Sequence, residues 1–208
     1  MTLGEIKIEA LKLMFVNAND DIYPEKLAEM ENDETYRGYL HSMPGAINRC
    51  FSNLEAKRIL PSKRTQIRQT SITRTAVDVS LIVSDFCNLE RVVRRMDNGD
   101  YDSDFSYVFE GNRLVYENDP DSEYFLIYKP KLPRIKSYDS NEMELPVPDN
   151  IAAYIPYFIK GDLYRDDEPG EAAEARNWYE QAMEEVMRMQ NDVGNLNRVK
   201  EIYSQEFL

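Results

Sequence analysis

Asp100, Asp102 and Asp104 place three carboxylates at a spacing of two, which is how a calcium-binding loop begins. The sixth position of such a loop needs glycine for its sharp turn, and the twelfth needs a bidentate glutamate. Here those positions hold Phe105 and Gly111, so the pattern predicts a solvated acidic loop and no metal site. Asp166, Asp167 and Glu168 form a second carboxylate cluster just before an expected helix start. Negative charge is favourable there, and that accounts for them without catalysis. The one histidine, His41, has no nucleophile or carboxylate motif around it and reads as a helix-surface residue. Two cysteines, Cys50 and Cys87, are too few for a disulfide framework or a four-ligand zinc site, and are expected as reduced, partly buried thiols. No glycine-rich phosphate loop, HExxH or GxSxG occurs. The sequence thus offers no catalytic residue and no cofactor.

Charge is more informative than motif. Arg49, Lys57, Arg58, Lys63, Arg64, Arg68 and Arg74 crowd one stretch with Glu55 as the only acid in it. A second, smaller basic run holds Lys129, Lys131, Arg134 and Lys136. Acids dominate Asp97 to Glu123 and Glu168 to Glu185. Such segregation suits head-to-tail assembly, in which a basic face meets an acidic face on the next copy, or contact with phosphate. Base stacking needs aromatic side chains among the basic ones. Between Lys57 and Arg74 there are none, which weakens the nucleic-acid alternative. So does the total charge: Lys and Arg number 25 against 38 Asp and Glu, a net −13.

The 208 residues, 42% of them hydrophobic, suffice for one domain or two small ones. A chain of this length buries about 70% of its extended surface on folding. The N-terminus lacks the features of a signal peptide, and no apolar run approaches the ~20 residues of a membrane span. A soluble protein made in a reducing cytoplasm is expected. Fourteen tyrosines hint at interfaces or a half-buried core.

The expected architecture is α+β. Thr2 and Glu5 fit a capping box ahead of Leu3, Ile6, Ala10, Leu13 and Met14. Asn17 to Asp21 reads as a polar break. Asp33 caps a second helix whose stripe is Tyr36, Leu40, Met43, Ile47, Cys50, Phe51 and Leu54, with a kink or a helix junction expected at Pro44-Gly45. Gln66 to Thr75 reads as extended, Phe105–Glu110 and Arg113–Asn118 as a hairpin closed by Gly111-Asn112, Glu123–Lys129 as a strong strand and Asn88–Arg95 as a further one. A helix then runs through Ile151, Ile155 and Ile159, with Pro156 expected to bend it. Another starts near Pro169 and buries Ala172, Ala175, Tyr179, Ala182, Met183 and Val186, with a Glu184–Arg188 pair on its surface. Gly194 between Asn191 and Asn195 is expected to end it. The resulting division is an N-terminal helical part over 1–75, an inserted β domain over 76–143, a C-terminal helical hairpin over 144–190 and a tail over 191–208.

IAAYIPYFIKGDLYRDDEPGEAAEARNWYEQAMEEV (151–186) resembles the C-terminal helical hairpin of the tailed-phage head-tail adaptors, the connector or head-completion family that includes tail tubular protein A. TLGEIKIEALKLMF and GAINRCFSNLEAKRILP are similar to its N-terminal helices, and YVFEGNRLVYEN with YFLIYKPKLPRI to its β insertion. Ser71 to Arg95 matches least well, and the stretch after Gln190 does not align. The resemblance implies a structural virion protein without catalytic residues. Such adaptors form a homo-oligomeric ring, typically of twelve copies, at the neck. The ring binds the portal protein above and tail or neck proteins below, and leaves a channel through which genome DNA passes without specific binding. It implies assembly in the bacterial host cytoplasm and no membrane partner. Terminal segments of the family reach into the portal or a neighbour, which makes Ile202, Tyr203, Phe207 and Leu208 candidate docking residues. Lys57, Arg58, Lys63, Arg64 and Arg68 are candidates for a charged interface or a DNA-facing surface. The alternatives are a protein-interaction module or a nucleic-acid-binding regulator using the basic stretch 49–74.

Overall fold

The structure, a computed structural model, describes residues 1–16, 22–67, 74–96, 99–102, 105–117, 119 and 122–205, of which 74 and 191–205 are described as backbone. In chain order the elements are α1 (Leu3–Met14), a 3-10 turn (Pro24–Lys26), α2 (Leu27–Met30), α3 (Glu34–Ala56), β1 (Lys63–Ile67), β2 (Arg74–Asp78), α4 (Val79–Ile82), β3 (Phe86–Arg95), β4 (Tyr101–Asp102), β5 (Tyr107–Glu110), β6 (Arg113–Glu117), β7 (Glu123–Pro130), α5 (Asp149–Ala152), α6 (Ile155–Leu163) and α7 (Pro169–Gln205). The fold is α+β, and its strands pair antiparallel. The chain divides into a helical unit, Met1–Leu54 with Arg134–Leu208, and a β unit, Glu55–Pro133.

In the helical unit, the Thr2 hydroxyl accepts from the Glu5 amide at 3.2 Å and the Glu5 carboxylate accepts from the Thr2 amide at 2.7 Å. This reciprocal box satisfies two amides that a helix start leaves open. Asp33 caps α3 through the Thr35 amide at 2.8 Å. Leu40, Met43, Ile47, Cys50, Phe51 and Leu54 are buried on α3, as the spacing predicts. Pro44 lies inside that single helix, which is not split there. A buried stripe on both sides of the proline outweighs one lost backbone bond. At the other end of α1, Lys160 Nζ donates to Leu13 O and Tyr164 OH to Met14 O, so side chains of α6 and of the residue that follows it satisfy carbonyls that the helix itself cannot. Gly161 lets α6 and α7 meet closely: a Cβ there would sit 3.1 Å from Ala172 O and 3.3 Å from Arg176 N.

Three expectations are corrected in this unit. Pro156 does not bend a helix; it stands in the first turn of α6, where its missing amide costs nothing. Arg188 donates to Glu185, three residues back. And α7 does not end at Gly194; its 37 residues run unbroken to Gln205. One interior glycine costs about 1 kcal/mol, too little to stop a helix by itself.

The β unit is two packed sheets, with strand orders β1-β7-β3-β4 and β2-β6-β5. Its core holds Val92, Tyr124 and Leu126 of the first sheet and Leu114 and Tyr116 of the second. The Tyr116 and Tyr124 rings lie 4.8 Å apart. The β5–β6 hairpin turns on Gly111-Asn112, with Glu110 opposite Arg113 and Gly111 at φ +60°. The unit begins at Glu55, not 76, because β1 pairs with β7 along its whole length. It ends at Pro133, so 134–143 belongs to the helical unit.

Candidate functional site

Among the described residues, no three His, Cys, Asp or Glu side chains are grouped to hold a metal ion. Asp102 pairs with Arg94 at 2.7 Å, across the β3–β4 register, while Asp104 lies outside the described residues. Asp166, Asp167 and Glu168 are exposed ahead of α7. His41 is exposed on α3 beside a cavity of about 220 Å³ that Lys7, Glu31 and Arg37 also line. Cys50 is buried and Cys87 half-buried, both as free thiols. Burial pushes the Cys50 thiol up to about 12, despite its contact with Tyr179 OH at 3.7 Å.

The basic stretch is divided between the two units, with Arg49 in the helical unit and Lys57 to Arg64 in the β unit. Arg49 pairs with Asp162 in the helical unit. Lys57 is half-buried and Arg58 exposed in the turn after α3, where Arg58 has φ +56°. Lys63 Nζ lies 2.5 Å from Asp85, which also accepts from Tyr128 OH at 2.9 Å. Burial alone would raise the Asp85 carboxyl, but Lys63 and Tyr128 hold it below the usual range. Burial, then Asp85, push the Tyr128 phenol up to about 12. Arg68 lies outside the described residues.

Arg64 differs from the rest. Along β7, Tyr124, Leu126 and Tyr128 point into the core, so Phe125 and Ile127 share the outer face. The register sets Arg64 opposite Ile127 on β1, Arg91 opposite Ile127 and Val93 opposite Phe125 on β3, and Tyr101 of β4 opposite Arg95. The Arg64 guanidinium stands 5.0 Å from the Phe125 ring centre and 5.7 Å from that of Tyr101. It donates to Tyr101 OH at 3.1 Å, and the two rings meet edge-to-face at 6.0 Å. A guanidinium over ring faces is an attractive, charge-quadrupole contact. Arg91 and Arg95 are exposed beside it, and Arg95 reaches Glu123 at 3.3 Å. The result is a basic, aromatic surface drawn from all four strands.

The linear sequence concealed this surface. Its aromatic members lie 37 and 61 residues beyond Arg64 in the chain and meet it only through strand register. The alternation of EYFLIYK was the available signal, since it puts Phe125 opposite in sense to Tyr124. Trp178 of α7 is 56% exposed. Of the docking candidates, Ile202 and Tyr203 have helical backbone within α7, while Phe207 and Leu208 lie outside the described residues. No helix among the described residues is long and apolar enough to cross a membrane. No protein-family model matches the chain, and no curated protein is significantly similar to it.

Proposed function

We propose that this chain is a non-enzymatic, ring-forming adaptor of a tailed phage, joining the portal to the tail and leaving a channel for the genome. The observation that supports this best is the layout of the chain. Both ends contribute to one helical unit, closed by the α6–α7 hairpin, and a β unit is inserted between them. That is the order the resemblance of 151–186 and of the N-terminal segments implies. A net charge of −13 suits a conduit for DNA, because acids lining a channel do not grip phosphate and let it slide. The partners on this reading are the portal protein, a tail or neck protein, and about eleven further copies of the chain itself. Quantitative mass spectrometry of purified virions of the encoding phage tests it. The chain is expected at close to one copy per portal subunit. Its absence from complete virions would dismiss the reading.

A further inference from the structure

Lys7 is the one charged residue that the fold buries among the described residues, at 5% exposure. It sits on α1, and its Nζ donates to Asn141 Oδ1 at 2.8 Å. Asn141 is itself fixed, because its carbonyl accepts from the Gly4 amide at 2.8 Å. An ammonium has three N–H donors, and a neutral amide oxygen takes one of them. Burial pulls the Lys7 amine below the ordinary lysine range, and the Glu31 carboxylate offsets part of that. Lys7 lines a cavity of about 220 Å³ in the helical unit. Arg37 and His41, one turn apart on α3, line it too, with Ser137 and with Glu31 at the end of α2. Glu31 is the only acid on that lining. Among the described residues, neither Lys7 nor Arg37 has an ion-pair partner within 4.0 Å. Two cations thus border one small space without a matched counter-charge, and a buried cation costs free energy until it is paired.

We infer that this cavity binds a phosphate group, paired with Lys7 and Arg37 and hydrogen-bonded by His41 and Ser137. The inference goes beyond the adaptor reading and does not depend on it. A space of about 220 Å³ is smaller than the roughly 300–1,000 Å³ of most small-molecule pockets, so it suits one anionic group and not a whole cofactor. Phosphate fits better than carboxylate. An ammonium, a guanidinium fork, an imidazole and a hydroxyl offer more donors than two carboxylate oxygens can use, and the arginine fork matches phosphate oxygens in pairs. The net charge of −13 does not prevent this, because distant surface charges are screened over about 8 Å at physiological salt while the lining acts at contact. Arg37 and His41 are exposed, so the cavity opens to solvent. The phosphate can therefore arrive as the free ion or as the end of a phosphomonoester.

The test is isothermal titration calorimetry of the full chain at pH 7 with inorganic phosphate, glycerol phosphate and acetate, ionic strength held constant with sodium chloride. Saturable binding of one phosphate group per chain is expected, with acetate at least about tenfold weaker. Arg37→Gln should weaken phosphate binding at least about tenfold, the loss of one charge-assisted pair. Glu31→Gln should tighten it about threefold or more, because a repelling carboxylate is gone. Arg37 and Glu31 are both exposed, so these variants leave the core untouched, and the buried Lys7 is not altered. Absence of saturable binding by either phosphate compound overturns the inference, as do undiminished binding in Arg37→Gln and acetate binding as tight as phosphate. So does weaker binding in Glu31→Gln, which would make Glu31 a partner that the cations already have. Glycerol phosphate identifies the source. Binding tighter than that of inorganic phosphate assigns the site to a monoester, weaker binding assigns it to the free ion, and either result upholds the inference.

Discussion

Tyr179 shows what a single side chain does in this fold. It is fully buried on α7, stacks edge-to-face on Phe158 at 5.0 Å, and donates to Asn53 Oδ1 at 3.0 Å. Tyr179→Phe keeps the ring and removes the hydroxyl, so the half-buried Asn53 Oδ1 loses this donor and the buried Cys50 Sγ loses its acceptor. A loss of about 1–2 kcal/mol in urea unfolding is expected. The same burial gives the protein an alkaline limit. Burial raises the phenols of Tyr128 and Tyr164 from 10.0 to about 12 and the Cys50 thiol from 9.0 to about 12, and it raises Tyr179 as well. A group whose folded pKa is raised holds its proton more tightly when folded. Its stabilising effect is complete below the unfolded value and is lost as pH climbs toward the folded one. Melting temperature should therefore fall between about pH 9 and 12, with a further rise in phenolate absorbance accompanying unfolding as the buried phenols are released. A melting temperature that stays level over that range would contradict this.

At the scale of elements, two glycines fix how the chain turns and packs. Gly161 is where α6 and α7 approach, and an added methyl would press on the backbone of α7. Gly161→Ala should cost about 1–3 kcal/mol, the range for overpacking, measured by the shift in urea midpoint. Gly111 has open space around its Cβ position but a φ of +60°. Gly111→Ala should cost about 1 kcal/mol through backbone strain alone, with the β unit's strands intact by circular dichroism. These elements also show how far sequence reasoning reaches. Capping at Thr2 and Asp33, the Gly-Asn hairpin and the alternation of β7 were legible because each is decided within a few residues. Continuity through Gly194 was not, because one interior glycine, which costs only about 1 kcal/mol, was read as a stop. The start of the β unit at Glu55 was missed for a related reason: β1 gains its identity from β7, some sixty residues away. The Arg64 surface was hidden by the same distance.

For the whole molecule, the proposal is that this chain works as one of many copies beneath a portal. On that proposal the chain needs no reactive group, and its chemistry is that of surfaces. Charge is separated along it, a basic, aromatic sheet face lies in the β unit, and the two ends of the chain build one helical unit. Mass by light scattering, alone and after mixing with the portal of the same phage, tests this most directly. A 24.4 kDa chain that joins the portal at near one copy per subunit is the predicted result. A stable monomer or dimer that does not bind the portal would contradict it and direct the search to a different protein partner.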